Sequence, residues 1–462
     1  MKKVAAIVLA AGLGKRMRSL LPKVLHPVCG KPMLFYPLEV LKALKVEKTV
    51  VVVGHGGDAV RERFAESRVS FVTQEKQLGT GHAVRCAERS FQSFTGELLI
   101  LSGDVPLIQS GIISELMRVH RRRRAVLSLV TMALEKPTGY GRIIRNDKGA
   151  VERVVEEKDA APDEMKVGEV NAGLYLVDAR FLFANLKRLT SRNAQGEYYL
   201  PDLIPLALKE GETVAAVVHR EPQEVMGVNN RVELAEANTL MRERINSYHM
   251  MRGVTMVDPR TTYIDYGIAI GRDTLIAPNV FLKGATKIGP GCTIEEGAGI
   301  IDSSLDRAVE VKPYSVIEQS KVGREGTIGP LARLRPGSVI LPRAKVGNFV
   351  EIKNATIGHG SKVNHLSYIG DTDMGRMVNV GAGTITCNYD GQRKYRTVIK
   401  DGAFIGSDTQ LVAPVTVGRG AYVGAGSTIT KDVPSRALAL SRTEQKNLEG
   451  WAEKKAGKKK GR

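Results

Sequence analysis

The sequence predicts two domains of different architecture, a doubly wound α/β domain followed by a parallel β-helix. In the first half of the chain, all-apolar runs of strand length alternate with segments of helical spacing. From about Ile270 to Pro434, branched aliphatic residues recur at every sixth position. The length of 462 residues allows two or three domains, each with its own hydrophobic core.

The α/β domain is predicted over residues 1–230. Its buried strands are expected at residues 4–10, 49–54 and 97–101, and two of its helices at residues 32–44 and 81–90. Residues 231–252 combine strong helix formers with helical spacing, which predicts a connecting helix. The β-helix then occupies residues 253–462, with a basic and apolar-poor tail at 454–462 that is expected to be disordered.

The six-residue repeat predicts one short strand and one corner in each unit, with the aliphatic side chain pointing inward. The aliphatic positions are Ile270, Ile276, Leu282, Ile288, Ile294, Val316, Val322, Ile328, Leu334, Ile340, Val346, Ile352, Ile399, Ile405, Leu411, Val417, Val423 and Ile429. Gly often follows the aliphatic residue, and a small residue often lies four places on, which suits a tight bend. The polar and aromatic stretch 386–397 breaks the period and predicts a loop that leaves the prism.

Composition narrows the class of protein. The content of 43% hydrophobic and 25% charged residues is that of a globular protein, and no apolar run has the length of a membrane span. The N-terminal segment lacks a signal-peptide cleavage site, so a cytoplasmic location is expected. The net charge of +19 suits anionic small molecules. A nucleic-acid-associated protein is a third interpretation, although it rests on the net charge and the tail alone.

The first strand leads into a glycine-rich turn of the kind that holds phosphate with backbone N–H groups. The turn is Leu9-Ala10-Ala11-Gly12, followed by Arg16 and Lys23. A dinucleotide-binding motif would need Gly where Met17 stands. Later segments add Gln74, Gly79-Thr80 and the strand end Ser102-Gly103-Asp104. An Asp at a strand end serves either as a metal ligand or as a helix cap.

Together with Gly141, Glu156, Asn171 and Asn229, these motifs resemble the nucleotidyltransferases that make nucleotide sugars from a nucleoside triphosphate and a sugar 1-phosphate. The resemblance implies Mg²⁺ bound by Asp104 and Asn229, with Lys23 and Arg16 stabilising phosphate charge. It also implies that Gln74 and Gly79-Thr80 select a uracil edge of UTP, and that Gly141, Glu156 and Asn171 hold the sugar.

The β-helix contains a second group of candidate residues. The repeat resembles that of the hexapeptide-repeat β-helix proteins, which are mostly acyltransferases. Their chemistry requires a base to accept a proton from the attacking amine. His365 suits that task, since the histidine pKa lies near working pH. Arg335 and Lys353 come from adjacent turns and supply two positive charges for a phosphate.

Nearly end to end, the chain resembles the bifunctional N-acetylglucosamine-1-phosphate uridylyltransferase / glucosamine-1-phosphate N-acetyltransferase family. The most specific motifs are residues 381–391 (GAGTITCNYDG) and 406–414 (GSDTQLVAP). The resemblance implies that His365 is the general base and that Arg335, Lys353, Tyr368 and Asn379 bind the sugar phosphate. It further implies acetyl-CoA contacts at Ala382, Ser407, Ala425 and Arg442, with Asn388 and Tyr389 in an extruded loop at a subunit junction. A left-handed coil, a homotrimer and the product UDP-N-acetylglucosamine, a precursor of bacterial cell-wall and lipopolysaccharide sugars, are implied as well.

The chain departs from the family pattern at two positions: Lys15 stands where relatives usually have Thr, and Ser102 where many have Tyr. Neither departure touches Asp104, Asn229 or His365. The main alternative is a sugar-1-phosphate nucleotidyltransferase with a single activity, whose β-helix serves only for oligomerisation. The presence of a complete candidate site in the β-helix favours two activities.

Overall fold

The computed structural model describes residues 2–457. The chain divides into two compact units, of which the first ends at Arg244 and the second begins at Ile245. The boundary therefore falls inside helix α7, Arg231–Met250, which occupies most of the segment expected to form a connecting helix. The architecture of each unit is the one that the sequence predicts.

The first unit alternates strands with helices around one large sheet. Its strands are β1 (Val4–Ala10), β2 (Pro27–Val28), β3 (Lys31–Pro32), β4 (Thr49–Val53), β5 (Ser70–Thr73), β6 (Glu97–Ser102), β7 (Leu127–Ala133), β8 (Arg142–Arg145), β9 (Val151–Val155), β10 (Glu169–Asp178) and β11 (Val214–His219). Its other helices are α1 (Phe35–Ala43), α2 (Gly57–Arg63), α3 (Thr80–Cys86), α4 (Ser110–Arg123), α5 (Ala179–Asn185) and α6 (Leu203–Lys209).

The main sheet has the order β11-β7-β10-β6-β1-β4-β5. Strands β6, β1, β4 and β5 are parallel and fully apolar at their centres, because helices cover both faces of this part of the sheet. Strand β10 runs antiparallel to β6 and β7, so the sheet is mixed rather than purely parallel. The carboxyl ends of β1, β4 and β6 meet at one edge, where open α/β sheets bind ligands.

The second unit is a three-faced prism of parallel strands. Face 1 contains Thr255–Met256, Leu275–Ile276, Thr293–Ile294, Glu310–Val311, Thr327–Ile328, Lys345–Asn348, Lys362–His365, Asn379–Val380, Phe404–Ile405, Tyr422–Val423 and Leu438–Ala439. Face 2 contains Tyr263–Ile264, Phe281–Lys283, Gly299–Ile301, Val316–Glu318, Arg333–Leu334, Glu351–Lys353, Tyr368–Gly370, Ile385–Cys387, Gln410–Val412 and Thr428–Ile429. Face 3 contains Ala269–Ile270, Lys287–Ile288, Ser304–Leu305, Lys321–Val322, Val339–Ile340, Thr356–Ile357, Thr372–Met374, Thr397–Ile399 and Val415–Val417.

The register between coils explains one error in the predicted repeat. Ile276 lies opposite Ile294, one full set of three hexapeptides later, but Ile294 lies opposite Val311, one residue short of that spacing. These shortened coils shift the inward position, so Ile317 is fully buried whereas Val316 lies on the outer surface. The prediction of Val316 as an inward residue was therefore wrong.

Many glycines of the repeat are needed for space between coils rather than for an unusual backbone conformation. A Cβ atom on Gly347 would lie 1.9 Å from the Asn364 carbonyl oxygen in the next coil, and one on Gly271 would lie 2.4 Å from the Pro290 nitrogen. The small residues of the repeat are buried and satisfied, as where the Thr274 hydroxyl donates to the Gly289 carbonyl oxygen at 3.0 Å.

The expected loop does leave the prism, since residues 389–394 are exposed. Near the end of the described chain, helix α8 (Trp451–Gly457) includes the first four residues of the tail that was expected to be disordered. The rest of that tail, 458–462, lies outside the described residues.

Two candidate active sites

The first candidate site is a cavity of about 340 Å³ at the carboxyl edge of the main sheet. It gathers predicted residues from four separate segments: Leu9, Ala10, Ala11, Gly12, Lys23, Gln74, Gly79, Thr80, Ser102 and Asp104. Gly103 contributes through its backbone, because its N–H donates to the Leu9 carbonyl oxygen at 2.8 Å and so joins the first loop to the end of β6. Segments far apart in sequence thus meet at one place.

A larger groove of about 1570 Å³ lies beside α1 and the segment that joins α2 to β5. Its walls mix apolar side chains with charges of both signs, for example Phe35, Glu62 and Arg63. None of the predicted site residues lines this groove, so its larger volume does not make it the candidate active site.

Lys23, Asp104 and Asn229 form the charged centre of the first site. The Lys23 ammonium group pairs with the Asp104 carboxylate and donates to the Asn229 Oδ1 at 2.8 Å. Both carboxylate and ammonium are mostly buried, with 17% and 14% of their side chains exposed. One carboxylate oxygen and one amide oxygen therefore converge on a single cationic atom, a donor set of the type that Mg²⁺ prefers.

Glu233 orients Asn229 and was missed by the sequence analysis. Its Oε2 accepts from the Asn229 backbone nitrogen at 2.7 Å and from the side-chain Nδ2 at 3.3 Å. The amide nitrogen is thereby turned away, and Oδ1 faces Lys23. A carboxylate in the first turn of α7 was the available signal, since Glu at that position often caps preceding N–H groups.

The glycine-rich loop is shaped by Lys23. Gly14 has a φ of 59°, and a Cβ atom there would lie 2.8 Å from the Lys23 Cβ. Arg16 is exposed on the short helical turn Lys15–Met17, with its guanidinium group 4.0 Å from the position of a Cβ on Gly139. The segment after β1 thus carries two cations, Arg16 and Lys23, of which Lys23 lines the cavity.

The three residues predicted to hold the sugar are close together. The Asn171 N–H donates to the Gly141 carbonyl oxygen at 2.9 Å, and a Cβ on Gly141 would lie 3.0 Å from the Glu156 Oε1. Burial raises the pKa of Glu156, and the nearby carboxylates Asp159 and Asp202 raise it further. Gly141 therefore leaves space between two groups that can hydrogen-bond to sugar hydroxyls.

Gly79 and Thr80 connect the cavity to a loop near residue 198. A Cβ on Gly79, whose φ is 98°, would lie 2.6 Å from the Tyr198 carbonyl oxygen, so only glycine fits. The Thr80 hydroxyl accepts from the Leu200 N–H at 3.0 Å. The Thr80 side chain thus ties α3 to this loop.

The second candidate site lies at one corner of the prism, between face 1 and face 2. His365, at the end of a face 1 strand, is exposed, and its Nδ1 lies 2.9 Å from the Asn348 Oδ1 of the preceding coil. Asn348 and His365 are paired in the register. With Nδ1 engaged, Nε2 is the nitrogen that remains to exchange a proton.

Three cations gather on the face 2 side of this corner. Arg335 donates to the Glu351 Oε1 at 2.8 Å, and its N–H bonds to the Ile352 carbonyl oxygen, which places it beside Lys353. Lys394, from the exposed loop, approaches Lys353 closely enough to lower the pKa of that amine, with Arg335 adding to the effect. Sequence analysis missed Lys394, because its loop reaches Lys353 only after the chain has completed further coils.

The remaining predicted residues fall into two groups. Tyr368 lies on face 2 next to Arg335 and Lys353, whereas Asn379 lies on face 1 opposite Lys362. Asn388 is buried and bonded to Asp371, and Tyr389 projects from the loop with 60% of its surface exposed.

The four residues expected to contact acetyl-CoA follow one edge of successive coils. Backbone hydrogen bonds stack Asp408 on Ala382 at 2.7 Å and Gly426 on Ser407 at 2.8 Å. Arg442 donates to the Ala425 carbonyl oxygen at 3.0 Å. This edge thus forms a continuous exposed strip along the prism.

Within residues 2–457, no group of three or more His, Cys, Asp or Glu side chains is arranged to hold a metal ion. Over the same residues, no helix is long and apolar enough to cross a membrane.

Comparison with known proteins agrees with both halves of the chain. Residues 6–159 match the MobA-like NTP transferase domain, and residues 396–431 match the bacterial transferase hexapeptide repeats, in accord with a left-handed β-helix. The chain is 49% identical to the bifunctional protein GlmU of Pelobacter propionicus, with 98% of each chain covered. It is 49% identical to the bifunctional protein GlmU of Shouchella clausii, over 97% of this chain and 98% of the relative. It is 48% identical to the bifunctional protein GlmU of Listeria monocytogenes serotype 4b, with 98% of each chain covered. The chain therefore belongs to the bifunctional GlmU family and is an enzyme with both uridylyltransferase and N-acetyltransferase activities.

Proposed function

We propose that the two activities reside in the two separate sites described above. In the β-helix, acetyl-CoA would acetylate glucosamine 1-phosphate. In the α/β unit, UTP and the resulting N-acetylglucosamine 1-phosphate would give UDP-N-acetylglucosamine and pyrophosphate. The observation that carries this proposal is the cluster Arg335, Lys353 and Lys394 beside His365, because a β-helix that served only for oligomerisation would have no need of it.

For acetyl transfer, His365 is the general base. Nδ1–H donates to the Asn348 Oδ1, so the Nε2 lone pair accepts a proton from the substrate amine. The amine nitrogen attacks the thioester carbonyl carbon, the carbon–sulfur bond breaks, and coenzyme A leaves as the thiol after protonation. Arg335, Lys353 and Lys394 bind the sugar phosphate, with Tyr368 and Asn379 completing the pocket. The strip from Ala382 through Ser407 and Ala425 to Arg442 holds acetyl-CoA.

For uridylyl transfer, a phosphate oxygen of the sugar 1-phosphate attacks the α-phosphorus of UTP and expels pyrophosphate. Lys23 and Arg16 offset the accumulated negative charge, and backbone groups of residues 9–12 hold the phosphates. Gln74 and Gly79 face the uracil, while Gly141, Glu156 and Asn171 hold the sugar. Asp104 and Asn229 would hold Mg²⁺, which neutralises phosphate charge when bound.

The finer assignment includes assembly and location: a homotrimer in the cytoplasm, with Asn388 and Tyr389 of the exposed loop at the junction between subunits. The hexapeptide repeats and the exposure of Tyr389 support an assembled form. Light scattering on a size-exclusion column would give three times the monomer mass of 50.2 kDa. A monomer that is fully active in acetyl transfer would contradict this part of the proposal.

The two-site assignment is tested by measuring both products for a variant of each site. Full-length protein receives glucosamine 1-phosphate, acetyl-CoA, UTP and Mg²⁺, and mass spectrometry measures both products. We expect His365→Ala to slow acetylation by about 10²–10⁴-fold and to leave uridylylation of added N-acetylglucosamine 1-phosphate intact. Asp104→Ala should do the converse.

The matched control is His359→Ala, the other histidine within the coils, which should change neither rate. If His365→Ala or Asp104→Ala abolished both activities in a folded protein, the assignment to two independent sites would be wrong.

A further inference from the structure

Gln74 follows β5 and is almost fully buried, with 3% of its surface exposed. Its Nε2 lies 3.1 Å from the Gly79 carbonyl oxygen and 3.0 Å from the His82 Nδ1. A carbonyl oxygen can only accept, so the atom that faces it must be the amide NH₂ group. The orientation of the Gln74 amide is therefore determined by its surroundings.

The same contacts determine the protonation of His82. Because the NH₂ group can only donate, Nδ1 must be an acceptor, and the ring proton lies on Nε2. Burial lowers the pKa of His82, and the positive charge of Arg85 lowers it further, which favours this neutral form. Both hydrogens of the Gln74 amide are then engaged, one by Gly79 and the other by His82.

Only the Oε1 atom of Gln74 remains to meet a ligand. Gln74 lines the cavity together with Ala11 and Gly79, and among residues 2–457 no donor reaches Oε1. We propose that His82 is a positioning residue for nucleobase specificity: by occupying the second amide hydrogen, it makes Gln74 a pure acceptor towards the base. This inference rests on the proposed role of Gln74 in facing the base.

A pure acceptor distinguishes the two common pyrimidines. Uracil carries a donor, N3–H, at the centre of its pairing edge, whereas cytosine carries an acceptor at N3. Cytosine would therefore place two acceptors face to face in a buried site, and leaving such groups unpaired weakens binding by about ten- to a hundredfold. Without His82, only the hydrogen bond to the Gly79 carbonyl oxygen holds the amide in this orientation, so the amide can turn its NH₂ group towards the base and serve either pyrimidine.

The test compares kcat/KM for UTP and CTP with N-acetylglucosamine 1-phosphate, using the full-length enzyme and mass-spectrometric detection of both sugar nucleotides. His82→Ala and His82→Leu both remove the acceptor, so we expect the UTP-to-CTP ratio to fall about ten- to a hundredfold in whichever of them folds. His82→Asn presents Oδ1 in place of Nδ1 and should restore most of the ratio. Acetyl transfer by the β-helix, measured on the same samples, should be unchanged in all three.

The variant Gln74→Ala tests separately whether Gln74 faces the base at all, which is the assignment on which the role of His82 depends. If Gln74→Ala leaves the UTP-to-CTP ratio unchanged, the base does not bind against Gln74. If Gln74→Ala collapses the ratio while His82→Ala and His82→Leu preserve it, the role of His82 alone is overturned. A merely structural role would lower the rates with UTP and CTP equally, and His82→Asn would not then restore discrimination.

Discussion

Replacement of Asn348 by alanine should slow acetyl transfer and leave uridylyl transfer unchanged. The Asn348 Oδ1 lies 2.9 Å from the His365 Nδ1, so it holds the imidazole with Nε2 free for its proposed role as the base. His365 is exposed, so water competes for the same nitrogen once Asn348 is gone. The ring then samples other orientations and the other neutral tautomer.

The expected loss of rate follows from the free energy that one hydrogen bond contributes. In a solvent-accessible position a single bond contributes about 0.5–1.5 kcal/mol, and about 1.36 kcal/mol corresponds to a tenfold change in rate. We therefore expect kcat for acetyl transfer to fall about two- to tenfold in Asn348→Ala. The loss is much smaller than the effect of about 10²–10⁴-fold expected when His365 itself is removed.

A double-mutant cycle on kcat, with acetyl-CoA and glucosamine 1-phosphate both saturating, measures whether Asn348 acts through His365. The double variant Asn348→Ala/His365→Ala should be no slower than His365→Ala alone, because the group that Asn348 orients is already absent. The uridylyltransferase rate of the same preparation is an internal control for folding and concentration. Additive losses in the double variant would refute the positioning role and indicate an independent contact with substrate.

Two further predictions concern stability. Burial, with the nearby charge of Asp159, raises the pKa of Asp202 from 3.8 to about 6, so at pH 8 the folded protein holds a charge that an unfolded chain would carry at lower cost. Asp202→Asn should therefore raise the free energy of unfolding of the α/β unit by about 1–2 kcal/mol at pH 8, and this gain should disappear as the pH falls from 6 to below 4. Urea unfolding at several pH values measures it, and a gain that does not depend on pH would contradict this cause. Gly347→Ala should destabilise the β-helix by about 1–3 kcal/mol in thermal unfolding because the new Cβ would meet the Asn364 oxygen. Gly299→Ala, with nothing within 4 Å of its Cβ, should have little effect, and equal losses in both variants would show that crowding against Asn364 is not the cause.

The parts of the fold that were predictable are those with local signals. The apolar run of β1 and the six-residue repeat both reflect which side chains must be buried, and each is visible within a few adjacent residues. The direction of β10 was not predictable, because strand direction depends on which neighbours the chain reaches. Val316 was placed wrongly because a coil one residue short leaves the local pattern intact while shifting the inward position to Ile317.

The candidate sites likewise contain some residues with a local signal in the sequence and others without one. Asp104 could be found because it follows a buried strand, and His365 because few histidines occur in the repeat. The groups that orient Asn229 and His365 are harder to find: Asn348 has no signal of its own, and Glu233 is marked only by its place in the first turn of α7. They are ordinary polar residues until the fold brings them within hydrogen-bonding distance of a functional group.

Lys353 lies on face 2, whereas its neighbour Lys394 belongs to the exposed loop, so the proposed phosphate site is built partly from that loop. Two amines held close together disfavour each other's protonation, and Lys394 accordingly lowers the pKa of Lys353. The loop is held in place by its own bonds: the Asp390 carboxylate accepts from the Gln392 and Arg393 N–H groups at 2.8 and 2.7 Å, and Tyr395 donates to the Asn388 carbonyl oxygen at 2.9 Å.

Because these contacts do not involve Lys353, the loop can present Lys394 against the repulsion before any phosphate arrives. An incoming phosphate dianion then meets cations that are already positioned, and it relieves their repulsion as it binds. Two cations that already lie side by side therefore favour the binding of a phosphorylated sugar over that of a neutral one.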